Sequence, residues 1–202
     1  IAYISSLKKY SNYKTMGVAV ANVIVDATPD LVKVEAGKIQ TSAITVTTNV
    51  RKEDAATVEN AKKAQAEIKA LNQYDGNEDV YNVAAKYGFV SAKEVNSIVS
   101  RNTSYGETRN HNLGAISFGD LAFVSAPYEM FDTNGMQIKD GSPYKSTFVL
   151  TCSGGAQGYV PSYEAYTIYG GYEVDNTEIA CGEAEKMVDE FLRMLKEFRG
   201  IK

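Results

Sequence analysis

The sequence predicts an α/β fold, a mixed β-sheet with helices packed on it, and three observations carry that reading. Two short apolar runs, Leu121–Val124 and Phe148–Leu150, are bounded by turn residues and suit buried strands. Between residues 53 and 100 three stretches carry helix-start signals and apolar positions at helical spacing. The chain closes on Glu183–Phe198, where Met187, Phe191, Met194, Leu195 and Phe198 fall on one helical face, acids lead, and Lys196 and Arg199 follow in agreement with the helix dipole.

Taken in order, residues 15–27 place Met16, Val20, Val23 and Ala27 at helical spacing, and Pro29 stops that helix. Leu31–Thr48 is rich in Val, Ile and Thr and is divided by Gly37, which predicts two short strands. Asp54 caps a helix whose apolar face is Val58, Ala61, Ala64, Ile68 and Leu71, and the Asp75-Gly76 turn ends it. Asn77 caps a second helix reaching Tyr87 and closed by Gly88. Ser91, with Glu94 in the capping-box position, opens a third over Ala92–Ser100. Together, residues 53–100 read as a helical layer or subdomain over the sheet. Residues 101–112 read as a polar loop, with His111 a surface residue ahead of a strand; metal ligation or general-base work is the sharper alternative. Strands follow at Leu113–Phe118 and Asp120–Val124 around a Gly119-Asp120 turn. One or two helical turns after Glu129, a Lys-Asp-Gly-Ser-Pro turn and a strand at Thr147–Thr151 lead into a glycine-rich segment, Cys152–Thr177, long enough to suggest a functional loop.

Composition excludes several classes. Of 202 residues, 44% are apolar and 23% charged, as expected of a globular chain. A net charge of -4 without a basic stripe argues against a nucleic-acid partner. No apolar run approaches the ~20 residues of a membrane-spanning helix, and no signal peptide is visible. The chain opens IAYISSLKKY without a methionine, which reads as a fragment or a processed product. Cys152 and Cys181 form no metal motif; a disulfide and two free thiols both remain open.

The chemistry concentrates in residues 119–173. There the run Leu121–Val124 ends in Ala-Pro-Tyr-Glu and aims Glu129 outward; the residue reads as a general base, a metal ligand or a cap on the following helix. The chain has 14 tyrosines and no tryptophan, and half of the tyrosines lie between Tyr128 and Tyr172. Such a cluster suits either a cleft for an amphipathic ligand or an irregular layer stapled by aromatics.

Three pieces in this order, GDLAFVSAPYEMF, GYVPSYEAY and YGGYE, resemble the C-terminal part of the catalytic domain of neutral, non-lysosomal ceramidases and their bacterial relatives. The resemblance implies that residues 1–202 form a single domain, the C-terminal half of a larger catalytic domain, with the site borne on 113–202. It implies a zinc ion held by two histidines, a glutamate and a tyrosine, with Glu129 (in Pro127-Tyr128-Glu129) and Tyr159 (in Gly158-Tyr159) matching the last two. It further implies Tyr172, of the Tyr-Glu pair, as the catalytic group polarising the substrate amide, and Tyr163 and Tyr166 as substrate-binding residues. The substrate implied is a ceramide-like lipid or other N-acyl amide, and the location implied is secreted, cell-surface or periplasmic.

Two departures stand out: Tyr128 where the family has Gly, and Gly154 where it has Asn. The family's two zinc histidines and its catalytic serine lie in an N-terminal half that has no counterpart here, so the chain alone is expected to be inactive, and no appended C-terminal β-sandwich is expected. The competing expectation is a non-catalytic α/β binding domain that keeps the scaffold and binds lipid or glycan through its tyrosines.

Overall fold

A computed structural model describes residues 12–35, 37–73 and 76–201. The chain falls into two compact units, one ending at Glu35 and one beginning at Ala36. The first contains helix α1 (Tyr13–Ala27), capped by Asn12 accepting from the Thr15 amide at 3.0 Å, and a 3₁₀ turn (Thr28–Asp30) at Pro29.

The second unit is built on a four-stranded sheet in the order β1 (Gln40–Asn49), β2 (Thr108–Phe118), β3 (Leu121–Ser125), β5 (Ser146–Leu150). The first three strands are antiparallel, and β3 pairs with β5 in parallel, so the sheet is mixed as predicted. Parallel pairing requires a crossover, which the two-residue strand β4 (Glu129–Met130) and helix α5 (Asp132–Gly141) supply. One sheet face sends in Val46, Leu113, Ala115, Ala122 and Val124. These meet Ile138 of α5 and the predicted face of helix α7 (Glu183–Phe198), whose Met187, Phe191, Met194 and Leu195 are fully buried. The other face exposes Ile116, Phe148 and Leu150, and Phe118, Phe123 and Phe148 stack along it at centroid distances of 5.9 and 4.9 Å.

Helices α2 (Ala55–Leu71), α3 (Glu78–Lys86) and α4 (Ala92–Thr103) form a subdomain with a core of its own around Ala61, Ala64, Ala84, Phe89, Val95 and Ile98. Their predicted caps are present: Asp54 accepts from the Ala56 and Thr57 amides, Asn77 from Asp79, and Ser91 from Glu94. Asn72, in the left-handed region at φ 52°, ends α2; Asp75 of the expected Asp-Gly turn lies outside the described residues.

Three expectations are corrected. Residues 31–48 do not make two strands: Leu31–Glu35 carry no strand, and one strand, β1, begins at Gln40. Apolar β-formers become strand only where a partner offers hydrogen bonds, and β2 pairs β1 over Gln40↔Ser117 through Asn49↔Thr108. The polar loop expected to reach residue 112 is cut short by β2, which starts at Thr108. Asn112 and Asn110 lie outward and accept from Thr45 at 3.0 Å and Thr47 at 2.7 Å, a polar cross-strand ladder on the solvent face. His111, on the alternate phase, therefore points inward and is 1% exposed, so it is not a surface histidine. Finally, α5 runs to Gly141, through residues expected to form a turn.

Candidate functional site

Past Ser125 the chain is zipped to the segment after β5. Ala126 N donates to Leu150 O at 3.1 Å, Ser153 N to Ala126 O at 3.0 Å, Cys152 N to Tyr128 O at 2.9 Å and Gln157 N to Pro127 O at 2.7 Å. These bonds fix the register of β4 against β6 (Tyr159–Val160), a parallel pair in which Glu129 is the partner of Tyr159 and Met130 of Val160. Alternation does the rest. Tyr128, Met130 and Val160 belong to the core, while Glu129 and Tyr159 emerge side by side on the other face. The glycine before Tyr159 is part of the device, since Gly158 has φ +91° and its carbonyl accepts from the Glu129 amide at 2.9 Å.

Glu129 does not cap the following helix. Phe131 occupies the N-cap position without a side-chain bond, and Glu129 is exposed. That removes the capping role, and among the described residues the carboxylate beside the phenol makes no hydrogen bond or ion pair. Burial first, then the negative charge of Glu129, push the Tyr159 phenol above its ordinary value; the Lys93 ammonium pulls the other way.

Tyr172 completes the group. It opens the short helix α6 (Tyr172–Asp175) after Gly170 and Gly171, at φ +59° and +107°, and its ring meets the Tyr159 ring edge-on, with centroids 6.0 Å apart at 78°. Lys93 of α4 hydrogen-bonds the Tyr172 hydroxyl and lies 4.3 Å from its ring centroid. Glu129, Tyr159 and Tyr172 therefore share one edge of the fold, with Lys93 at the Tyr172 hydroxyl.

The other two candidate residues differ from each other. Tyr163 is exposed, its backbone amide donates to Glu185 Oε1 at 2.8 Å, and it lines a cleft against α5 with Thr133, Met136 and Gln137. Tyr166, in a π-helical turn (Ala165–Tyr169), is half-buried. Its hydroxyl donates to the Ile179 carbonyl, and burial pushes its phenol up to about 12. Its hydroxyl is thus engaged within the fold.

His111, the one histidine, is engaged at both ring nitrogens, Nε2 with Thr48 Oγ1 at 2.5 Å and Nδ1 with the Tyr128 hydroxyl. Burial, with Arg109 nearby, lowers its pKa to about 4. It is a core residue and offers no free nitrogen to a metal. Among the described residues no three His, Cys, Asp or Glu side chains converge as a metal site. Cys152 and Cys181 are unpaired and exposed. No described helix is long and apolar enough to cross a membrane.

Two contributions escaped the sequence. Lys93 looks like any solvent-facing helical lysine. Arg101 sits in a helix pattern but is 1% exposed and ion-paired with Glu53, its Nη1 donating to Asp175 O at 3.1 Å. Burial alone would raise the Glu53 carboxyl, but hydrogen bonds from Arg101 and Asn102 and the charges of Arg101 and Arg51 hold it below the usual range.

No protein-family model matches the chain, and neither does any curated protein. Among solved structures, the crystal structure of neutral ceramidase from Pseudomonas aeruginosa is similar at 13% identity and a TM-score of 0.48, over 81% of this chain and 29% of that one. The chain thus spans under a third of that protein's length, and a likeness this shallow establishes neither a family nor an activity.

Proposed function

We propose that this chain is the C-terminal half of a zinc-dependent amidase resembling neutral ceramidase, and that the complete protein hydrolyses the N-acyl bond of ceramide-like lipids. The observation that carries the reading is the pairing of Glu129 with Tyr159 across β4 and β6, with the Tyr172 ring against Tyr159. A carboxylate and a phenol on register partners suit two of the four positions of a zinc site; the nitrogen ligands would come from the missing N-terminal half. Zinc bound there would supply Lewis acidity to a water and to the amide carbonyl. Glu129 and Tyr159 would hold it, and the Tyr172 O–H would donate to the carbonyl oxygen as negative charge develops. Exposed Tyr163 would meet an apolar chain with its ring face, while Tyr166, its hydroxyl engaged, would offer substrate only its ring. The uncovered apolar sheet face at Ile116, Phe148 and Leu150 supports a larger parent domain. A secreted, cell-surface or periplasmic location belongs to the same reading.

The test is a longer protein carrying the N-terminal counterpart, assayed for zinc content and for fatty acid released from an N-acyl sphingoid base. Glu129→Ala is expected to abolish both; activity that survives it sinks the assignment.

The exposure of Tyr163 and Tyr169, 57% and 75%, favours a second reading as a binding domain without chemistry. Lipid or glycan affinity lost on Tyr163→Ala with Tyr169→Ala, in a protein holding no zinc, would select it.

A further inference from the structure

Resting on the amidase reading above, we propose that Lys93 is a positioning residue that orients the Tyr172 phenol toward the substrate carbonyl. An ammonium has three donors and no acceptor, so in the contact between Lys93 Nζ and the Tyr172 hydroxyl the lysine donates and the phenol oxygen accepts. The phenol's own O–H must then point elsewhere. Among the described residues it donates to no protein acceptor, so it stays available to an incoming oxygen. The positive charge beside that oxygen, 4.3 Å from the ring centroid, polarises the O–H and favours it as a donor to an oxyanion.

The placement of Lys93 is built. It lies in the first turn of α4, whose start is fixed by Ser91 accepting from the Glu94 amide at 3.1 Å and Glu94 Oε2 accepting from the Val90 amide at 2.7 Å. About two turns further along α4, Arg101 Nη1 binds Asp175 O at 3.1 Å, tying α4 to α6. Asn176 Nδ2 binds Tyr172 O at 2.7 Å and locks the tyrosine's own backbone. The helical subdomain thereby acquires a role in the site: it holds a cation against the carbonyl-polarising tyrosine, on an element remote in sequence from the zinc-ligand pair.

Two readouts test this. In the 202-residue chain labelled with ¹³C at tyrosine Cζ, the Tyr172 resonance is assigned by its loss in Tyr172→Phe. It is expected to move in Lys93→Met and to stay near its original place in Lys93→Arg, with the fold unchanged by circular dichroism. In the extended protein, Lys93→Met is expected to lower kcat about 10-fold with KM within about twofold, less than loss of the donor itself, and Lys93→Arg to restore most of it. A Tyr172 resonance indifferent to Lys93→Met overturns the contact. A moved resonance with unchanged kcat overturns the positioning role. If the unaltered extended protein releases no fatty acid, the amidase reading fails and the role of Lys93 in it fails too, while the resonance still decides the contact by itself.

Discussion

The hydroxyl of Tyr128 meets Nδ1 of His111 inside the sheet, their rings edge-on with centroids 5.0 Å apart. Tyr128 also donates to Gln157 Oε1 at 2.6 Å, so it accepts from Nδ1–H, and Nε2 accepts from Thr48 Oγ1. The network therefore assigns a neutral, Nδ1-protonated imidazole in a chain of bonds from β1 through β2 to the loop before Tyr159. Tyr128, one of the two departures from the ceramidase pattern, is spent on the core rather than on the face that carries Glu129.

His111 makes stability depend on pH. Its folded pKa, about 4, lies below the unfolded value of 6.5, so the unfolded chain binds the extra proton between those values. The contribution is complete above about pH 6.5 and is lost as pH falls toward about 4, on the order of 3 kcal/mol in all. Urea midpoints of the native chain should fall across that window more steeply than those of His111→Gln. Equal slopes would show that the ring titrates normally.

Arg101 and Glu53 should be a point of fragility. Removing the acid leaves a guanidinium that is 1% exposed without its partner, so Glu53→Ala is expected to cost about 3–5 kcal/mol in urea unfolding. A loss under about 1 kcal/mol would place the pair in solvent, in the range of surface ion pairs.

At Gly158 the space for a Cβ is open, so only the backbone objects, at φ +91°. Gly158→Ala should cost about 1–2 kcal/mol and, through the Glu129 amide bond, loosen the Glu129–Tyr159 pair. Unchanged stability would mean that the loop has another route into β6.

If Tyr172 stabilises the developing oxyanion, Tyr172→Phe in the extended protein should lower kcat by about 10²–10³ and leave KM nearly unchanged. A rise in KM alone would make it a substrate-binding residue instead.

The sequence by itself determined what depends on neighbours a few residues away. The caps at Asp54, Asn77 and Ser91, the apolar stripe of α7 and the strands at Leu121 and Phe148 are local patterns of period 3.6 or 2, and each stands where its spacing put it. Glu129 was likewise legible as a candidate from the proline two residues before it, and Tyr159 through the resemblance of its Gly158-Tyr159 step, but their pairing across β4 and β6 was not. Register and long-range packing decided the rest. His111 went from an apparent surface residue to a core one because β2 extends back to Thr108 against β1, 63 residues away at Thr48. Lys93 reached Tyr172 across 79 residues because the fold brings α4 against α6, where Arg101 binds Asp175 O and Ser97 binds Asn176. A lysine or histidine carries the same local signal in water as in a site, and only the fold decides which groups surround it.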